Sequence, residues 1–330
     1  MIGRASKTMS NERLTKIINS FKDKKICVVG DLMIDHYIVG DSYRISPEAP
    51  VPVVHVKHEL FVPGGAGNVA ANVATLGGHA VLVGVIGKDL LGNELMRELR
   101  DYKINTEGLV QLSYKPTTQK TRVIARGQQI VRFDKESKNY IGNAVHTKLL
   151  KFIEKHIAEL DGVVISDYDK GLFTEDFAKK LVSLSNKYKK PIIADVKPTN
   201  ARFVKKVTLL TPNYKEAVEI SGSTEVKVAG RIIQKKCKCN VLITQGEGGM
   251  TLFHGTRTKH LPTVAQEVYD VIGAGDTVAS TMILSLASGA NLQEAALISN
   301  HAAGIVCGKR GTAAVSTNEL KHSLQNSSHT

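Results

Sequence analysis

The sequence contains no tryptophan, and aromatic residues make up only 5% of its 330 residues. A protein that binds nucleic-acid bases by stacking needs aromatic side chains among its basic residues. The formal net charge is +13, and its basic residues are spread along the chain without forming a tail. Charge alone does not choose between nucleic acid, acidic lipid and a small phosphorylated metabolite. The lack of aromatic residues disfavours the first, so we expect no nucleic-acid partner.

Long apolar runs are also missing, because no stretch approaches the roughly 20 residues that a helix needs to cross a bilayer. The first 24 residues are basic and have neither the apolar centre nor the cleavage site of a secretory signal. We therefore expect a soluble, cytoplasmic protein with no membrane partner.

Cysteine is scarce, with four scattered residues that are too few for a disulfide framework, namely Cys27, Cys237, Cys239 and Cys307. In a reducing compartment we expect them to be free thiols. Cys237 and Cys239 lack a second Cys or His pair at zinc spacing, so the sequence does not favour a zinc site.

Short, β-branched apolar runs recur along the chain and several of them end in a polar residue. They begin at Ile26, Val81, Gly162, Ile192, Val207 and Val241. Helix-like segments such as "NVAANVATL" and "EDFAKKLVSLSNKYK" separate them, which is typical of a mainly parallel sheet covered on both faces. Ligands of such sheets bind outside the carboxyl ends of the strands.

Two stretches break this alternation. Residues 37–63 contain four prolines and alternating valines, and residues 109–134 include "KTRVIARGQQIVRFD", in which apolar and polar residues alternate. This alternation is typical of half-exposed strands. We expect both stretches to form a small β-sheet that stands off the main domain.

The stretch "YDVIGAGDTVAS", residues 269–280, places two glycines and an aspartate at the start of a helix-like run that Gly289 would end. The first N–H groups of a helix lack internal partners, and Gly273 and Gly275 let an anion approach the backbone. Asp276 would repel a bound phosphate unless it accepts a proton from an attacking hydroxyl. A simple helix-capping role is the alternative, and this stretch alone leaves both open.

Together with "PGGAGNVAANVATLG" at residues 63–77, this motif resembles the two signatures of the PfkB, or ribokinase-like, family of sugar kinases. "VVGDLMIDHY", "TPNYKE" and "TQGEGG" are similar to further family motifs, in the same order across roughly residues 25–320. The resemblance implies a ribokinase-like three-layer α/β/α sandwich with a mainly parallel central sheet and a small β-sheet lid. It also implies ATP and Mg²⁺ as cofactors and a homodimer formed through the lid.

Within the family, four stretches resemble the D-glycero-β-D-manno-heptose 7-phosphate kinases, namely residues 43–54, 166–171, 209–216 and 266–278. Some of these kinases are fused to a nucleotidyltransferase domain with a His-x-Gly-His motif, which this sequence lacks. The resemblance therefore implies a stand-alone kinase that phosphorylates heptose 7-phosphate at C1, in the synthesis of ADP-heptose for lipopolysaccharide. We expect an extension at 1–24, a kinase domain at 25–322 with lid segments at about 37–63 and 109–134, and a frayed tail at 323–330.

The resemblance also implies roles for individual residues. Asp276 is the expected general base, and the expected anion hole comprises Gly273, Ala274 and Gly275. The expected sugar pocket comprises Asp35, Gly64, Gly65 and Asn68. Asn213 and Glu216 are expected to organise Mg²⁺ through water, and the expected ATP-binding residues are Asn213, Tyr214, Lys215, Glu216, Thr244, Gly246, Gly249 and Asn300. For Asp35, Asn213, Glu216 and Asn300 the alternative is an exposed polar residue without a role.

A sugar phosphate needs a cationic clamp, for which arginine is well suited. The candidates are Arg44, Arg122, Arg126, Arg132, Lys170 and Lys197, and for each of them an ordinary surface charge is the alternative. Family members often bind a monovalent cation through carbonyl oxygens, and Asp270 and Ile272 occupy the matching positions. Many relatives have threonine in place of Ile272, so K⁺ dependence stays open.

Three other functions remain as alternatives. One is a PfkB kinase for another sugar, sugar phosphate or nucleoside, and another is a nucleotide-binding regulator without activity. The third is a dinucleotide-dependent oxidoreductase, because residues 65–70 satisfy G-x-G-x-x-A. That match follows the proline-rich segment and not the first strand, which disfavours it. A P-loop kinase is disfavoured because no Walker A lysine loop is present.

Overall fold

The computed structural model describes residues 11–139, 141–265, 269, 271–309 and 313–326. In chain order the strands are β1 (Lys25–Gly30), β2 (Leu32–Ile45), β3 (Pro52–Gly65), β4 (His79–Gly87), β5 (Asn105–Leu112), β6 (Thr118–Ala125), β7 (Gln128–Lys135), β8 (Gly162–Ser166), β9 (Ile192–Asp195), β10 (Leu209–Leu210), β11 (Asn240–Thr244), β12 (Met250–His254) and β13 (Arg257–Leu261).

The α-helices between and around these strands are α1 (Asn11–Asn19), α2 (Ala66–Thr75), α3 (Leu90–Asp101), α4 (Asn143–His156), α5 (Glu175–Lys187), α6 (Tyr214–Ser221), α7 (Val226–Cys237), α8 (Ala274–Ala287), α9 (Leu292–Cys307) and α10 (Thr317–Asn326). Short 3₁₀ turns cover Phe21–Asp23, Ile157–Glu159, Ala201–Phe203 and Gly246–Gly248. Among the described residues no helix combines the length and the apolar character needed to cross a bilayer.

Nine strands form the main sheet, in the order β13-β12-β11-β10-β9-β8-β1-β4-β5. All neighbours are parallel except the pairs β11–β12 and β12–β13, which are antiparallel. The expected mainly parallel sheet is therefore confirmed. Of the six apolar runs, the one from Val207 forms only the two-residue β10, because Pro212 follows closely and has no N–H for a ladder.

Alternate residues of each central strand enter two different cores. In β1, Ile26 and Val28 pack with α1, α2, α8 and α9, whereas Cys27 and Val29 pack with the cluster that includes α4 and α5. A strand alternates its side chains between the two faces of a sheet, so both faces must be covered by helices. This arrangement is the expected three-layer α/β/α sandwich. Cys27 and Cys237 are buried, whereas Cys239 and Cys307 are partly buried.

The lid is a separate four-stranded sheet in the order β3-β2-β6-β7, in which β2 and β6 are parallel and the outer pairs are antiparallel. Its first part is longer than expected, since β2 begins at Leu32 and β3 ends at Gly65. The expected second lid segment, residues 109–134, begins too far toward the N-terminus, because residues 109–112 belong to β5 of the main sheet. The lid strands β6 and β7 together cover residues 118–135 apart from a two-residue turn.

The two ends of the chain are more integrated than the sequence indicates. Leu14, Ile17, Ile18 and Phe21 are buried in the core beneath α8 and α9, so residues 11–23 of the expected extension belong to the domain. At the other end α10 runs to Asn326, past the expected boundary at residue 322, and buries Leu324. An amphipathic helix packs wherever the domain offers it an apolar face.

We predict that Phe21→Ala will lower the free energy of unfolding by about 3–5 kcal/mol, because it removes a fully buried ring from the core. Urea unfolding measures this loss. The neighbouring Lys22→Ala removes an exposed side chain and should change the free energy by less than about 0.5 kcal/mol. Equal effects of the two substitutions would mean that this segment lies outside the cooperative unit.

Candidate active site

Helix α8 begins with an open set of backbone donors. Its N-cap, Gly273, has a φ of 79°, which glycine adopts without steric cost. The N–H of Ala274 donates to Val271 O at 3.3 Å, and that of Thr277 donates to Gly273 O at 3.0 Å. Within the described chain, the N–H groups of Gly275 and Asp276 have no acceptor. These two donors, with the positive end of the helix dipole, form a site suited to an anion.

The Asp276 carboxylate lies in the first turn of α8 and is only 4% exposed. Its Oδ2 accepts a hydrogen bond from Asn68 Nδ2 at 2.7 Å, and its Oδ1 accepts one from the Tyr168 hydroxyl at 2.9 Å. The helix-cap position belongs to Gly273, and the partners of Asp276 are side chains from other elements. The helix-cap alternative is therefore wrong for this aspartate.

Burial raises the pKa of Asp276 to about 6, and the hydrogen bonds from Asn68 and Tyr168 limit the rise. The carboxylate is thus ionised at neutral pH but remains basic enough to accept a proton. A general base is most effective when its pKa lies near the working pH. This environment suits Asp276 to proton abstraction.

A buried polar chain holds Asn68 in place. Asn72 Nδ2 donates to the carbonyl oxygen of Asn68 at 2.9 Å and to Asn68 Oδ1 at 3.2 Å. The Thr277 hydroxyl in turn donates to Asn72 Oδ1 at 2.9 Å. Because Asn68 Oδ1 accepts a hydrogen bond from Asn72 Nδ2, the amide NH₂ of Asn68 is directed at Asp276. Helices α2 and α8 therefore fix the base between them.

At the lid, the strand pair β2–β6 brings Asp35 and Arg122 together. Arg122 Nη1 donates to Asp35 Oδ1, and both side chains are 7% exposed. A Cβ on Gly64 would lie 2.5 Å from Asp35 Oδ2, so only glycine leaves room for this carboxylate. Asp35 is therefore a buried, paired group, which does not agree with the alternative of an exposed loop carboxylate.

On the other side of α8, Asn213 and Glu216 form a capping box at the start of α6. Asn213 Oδ1 accepts the N–H of Glu216 at 3.0 Å, and Glu216 Oε2 accepts the N–H of Asn213 at 3.1 Å. Lys197 Nζ donates to Glu216 Oε1 at 2.7 Å. Thr244 pairs with Asn213 through an isolated parallel bridge. These expected nucleotide residues are therefore adjacent to one another.

The remaining expected nucleotide residues lie on the loop after β11 and on α9. Gly246 and Gly249 have φ values of 58° and 76°, which allow the tight turn between β11 and β12. Asn300 is 4% exposed and its Nδ2 donates to Pro262 O at 2.7 Å. It is thus a buried anchor for the segment after β13 and not the helix-surface residue of the alternative interpretation.

Several candidate cations are engaged elsewhere. Arg132 pairs with Asp134, Lys170 pairs with Glu136, and Arg126 lies over the ring of Tyr43. Arg44 is exposed near the end of β2. Tyr214 donates its hydroxyl to Thr224 O, and Lys215 is exposed on α6. Of the candidate cations for the clamp, Lys197 acts electrostatically on Asp276, and Arg122 pairs with Asp35, whose charge also acts on Asp276.

The structure adds site residues that the sequence analysis did not single out. Tyr168 follows β8, Asp195 ends β9 and Asp31 follows β1, so all three lie at carboxyl ends of parallel strands. The sequence indicates such positions, because several of the apolar runs end in polar residues. Asp270 lies outside the described residues, and Ile272 lies just before Gly273.

The topology does not fit the dinucleotide-binding alternative. The glycines of residues 65–70 begin α2 directly after the lid strand β3. A dinucleotide fingerprint requires the first strand and first helix of a βαβ unit in the main sheet. Here the segment after β1 leads into the lid instead.

Among the carboxyl groups of the site, Asp195 has the largest shift in pKa. A Cβ added to Gly275 would lie 3.8 Å from Oδ2 of Asp195, so this carboxyl lies next to the first turn of α8. Burial, together with the negative charges of Glu216 and Asp276, raises the pKa of Asp195 to about 8. The carboxyl is therefore protonated at neutral pH as long as no positive charge is added next to it.

We predict that Asp195→Asn will raise the Tm more at pH 8 than at pH 5. The folded carboxyl has a pKa near 8 and the unfolded one a pKa near 4, so this residue lowers stability progressively as the pH rises between these values. Each kcal/mol regained corresponds to about 2–4 °C in a domain of this size. Thermal unfolding at both pH values measures the effect.

The exposed Asp101→Asn serves as the control and should shift the Tm equally at both pH values. A gain for Asp195→Asn that does not grow with pH would contradict the prediction.

Comparison with known proteins agrees with this geometry. The pfkB family of carbohydrate kinases matches residues 23–319. The chain is 39% identical to the bifunctional protein HldE of Wolinella succinogenes over 94% of this chain and 67% of that protein. It is 40% identical to HldE of Sulfurimonas denitrificans over 93% of this chain and 65% of that protein. The chain thus spans about two thirds of the length of these curated relatives.

Solved structures share the fold. Phosphofructokinase-2 from Escherichia coli in complex with potassium has a TM-score of 0.77 at 22% identity, covering 92% of this chain and 99% of that one. Arabidopsis thaliana ribokinase with ribose and ATP has a TM-score of 0.71 at 18% identity, with the same coverage. These matches confirm the ribokinase-like α/β fold, and the family match over most of the chain shows that the protein belongs to the PfkB family of carbohydrate kinases.

Proposed function

We propose that the protein transfers the γ-phosphoryl group of ATP to the C1 hydroxyl of D-glycero-β-D-manno-heptose 7-phosphate. The product, heptose 1,7-bisphosphate, would enter the synthesis of ADP-heptose for lipopolysaccharide in the cytoplasm. The similarity to HldE proteins at about 40% identity supports the choice of heptose within the family. The four stretches that resemble heptose kinases support it as well.

The observation that carries the proposal is the buried Asp276 carboxylate beside the free donors of α8. Asp276 accepts the proton of the C1 hydroxyl while the oxygen of that hydroxyl attacks the γ-phosphorus of ATP. The bond between that phosphorus and the leaving β,γ-bridging oxygen then breaks, and ADP departs. The N–H groups of Gly275 and Asp276 stabilise the charge on the transferred phosphoryl group. Gly273 and Ala274 shape the backbone that presents these donors.

The family implies ATP and a divalent metal. Mg²⁺, when bound, neutralises charge on the phosphates and usually keeps several of its waters. Asn213 and Glu216 suit contact through such waters, because their oxygens already accept one hydrogen bond each and retain further lone pairs. Within the described residues, no cluster of three or more His, Cys, Asp or Glu side chains is arranged to hold a metal. This donor set fits a hydrated ion bound partly by ATP.

For the rest of ATP, we propose that Thr244, Gly246 and Gly249 border the nucleotide, with Asn300 anchoring the adjacent loop. Tyr214 and Lys215 follow Asn213 on the first turn of α6, and we propose that they border the phosphates. A monovalent cation such as K⁺ would lie near the carbonyls of Asp270 and Ile272.

At the sugar end, Asp35, Gly64, Gly65 and Asn68 would line the pocket for the heptose. Arg122 has its guanidinium beside Asp35, where it can contact a second anionic group. Arg44 on the lid and Lys170 on the loop after β8 would supply further cationic contacts to the 7-phosphate. Lys197, which is paired with Glu216, would contact the transferred phosphate.

We predict that Asp276→Asn will lower kcat by about 10²–10⁴-fold, because it removes the proton acceptor and keeps the shape. The measurement is ATP-dependent phosphorylation of heptose 7-phosphate, fructose 6-phosphate, ribose and adenosine, with the product position determined by phosphorus NMR. Wild-type protein should form a C1 phosphate on the heptose alone. The exposed Asp101→Asn should retain wild-type turnover.

Efficient turnover of another acceptor would support kinase activity but reject heptose 7-phosphate as the substrate. Wild-type turnover in Asp276→Asn would reject Asp276 as the base. A wild-type protein that binds ATP and phosphorylates no acceptor would favour the inactive regulator.

We also propose that two copies pair through their lids. All residues of β7 are exposed, and Ile130, Val131 and Phe133 are 40%, 47% and 54% exposed. On β3, Val56 and Leu60 are about half exposed. Exposed apolar strands of this kind mark protein interaction surfaces. A second copy is a suitable occupant because the same sheet on each subunit supplies both halves of the contact.

We predict that Phe133→Asp will convert the dimer to a monomer at micromolar concentration, since it places a charge in the apolar contact. Size-exclusion chromatography with light scattering gives the mass. Val228→Asp is the matched control, because Val228 is a 41% exposed apolar residue on α7, which packs on the main sheet. A variant that stays dimeric would place the contact elsewhere.

A further inference from the structure

The loop after β8 holds Tyr168 in one backbone position. Asp31 Oδ2 accepts the backbone N–H of Tyr168 at 2.9 Å and that of Lys170 at 3.1 Å. Asp31 is itself only 2% exposed, and its own N–H donates to Ser166 O at 3.0 Å. A carboxylate that bridges two N–H groups fixes the turn between them. The start of this loop is therefore tied to the end of β1.

The ring of Tyr168 is held on two sides. Lys197 Nζ lies 5.5 Å from the ring centroid, within the range of a cation–π contact. Near Gly65, a Cβ would come within 3.4 Å of Tyr168 Cδ2, so the ring packs closely against this backbone. With both the backbone and the ring held, the hydroxyl has little freedom to leave Asp276.

The hydroxyl remains a donor at every working pH. Burial, followed by the charges of Asp276 and Asp195, raises the pKa of Tyr168 well above its usual value. Tyr168 donates to Oδ1 of the Asp276 carboxylate and Asn68 donates to Oδ2, so each oxygen uses one lone pair in these bonds. Each oxygen keeps a second lone pair for an incoming hydroxyl. The two donors thus fix the plane of the carboxylate without blocking it.

We propose that Tyr168 is a positioning residue that orients the Asp276 carboxylate toward the hydroxyl of the sugar and stabilises its charged form. This inference rests on the proposed function, in which Asp276 is the base. Tyr168 also links the base to Lys197, and through Lys197 to Glu216 at the start of α6. The sugar end and the phosphate end of the site therefore share one set of contacts.

Other charges act on Asp276 from the elements packed around it. Asp35 on β2 raises its pKa, and Lys197 after β9 lowers it. Asp195, at the end of β9, acts on Asp276 as a like charge only when it is ionised, which its pKa of about 8 confines to higher pH. Asn68 on α2 donates the second hydrogen bond and lowers the pKa. Replacing the Tyr168 hydroxyl changes only one of these influences.

Tyr168→Phe tests the inference, because it keeps the ring contacts with Lys197 and Gly65 and removes only the donor. A hydrogen bond to a charged group lowers the pKa of Asp276, so its loss should move the acid limb of the kcat/KM profile to higher pH by about one unit or more. The measurement is the pH profile with heptose 7-phosphate and ATP. The KM for ATP should stay at its wild-type value. The Tm at neutral pH should fall, because a higher pKa of the folded Asp276 lowers stability wherever this carboxyl is ionised.

Tyr188→Phe is the matched control, since Tyr188 also lies under a lysine, with Lys187 Nζ 5.7 Å from its ring, but on the distant α5. Its profile should match the wild type. An unmoved acid limb in Tyr168→Phe, with turnover abolished in Asp276→Asn, would overturn the inference and leave the proposed function standing. Wild-type turnover in Asp276→Asn would overturn both.

Discussion

The arrangement of the site depends on the ionised carboxylate of Asp276 being buried without being neutralised. A buried charge is costly unless hydrogen bonds compensate for the lost water. Asn68 and Tyr168 supply these bonds from α2 and from the loop after β8. Each donor needs its own support, which Asn72, Thr277 and Asp31 provide. The helices on one face of the sheet and the loops at its edge are thus coupled to a single side chain.

A second constraint is the balance of charge beside the anion site. Asp195, Glu216 and Asp276 lie close enough for their charges to influence one another, and Lys197 is the cation in contact with this group. A triphosphate would add further negative charge. The binding of a divalent cation with the nucleotide offsets this repulsion, in agreement with the cofactors implied by the family. Burial, together with the same excess of negative charge, raises the pKa of Asp195.

The lid contributes in a different way, because it brings Asp35 and Arg122 to the mouth of the site on neighbouring strands. Its outer strands expose apolar side chains, so the sheet that we propose to cover the sugar also offers a surface suited to a partner subunit. Closure over the substrate would exclude water, which otherwise competes as an acceptor of the phosphoryl group. In the proposed arrangement, assembly and catalysis would use the same small sheet.

The amino-acid sequence by itself determined the alternation of apolar runs and helices, the two glycine motifs and the position of Asp276 at a helix start. These are local properties, because strand and helix periodicity and N-terminal donors depend on near neighbours. The sequence did not indicate that Tyr168 touches Asp276 across 108 positions or that Arg122 pairs with Asp35. It also placed Phe21 and Leu324 outside the domain, although both are buried. Such contacts arise only when the carboxyl ends of parallel strands meet at one edge, and that meeting is decided by the tertiary structure.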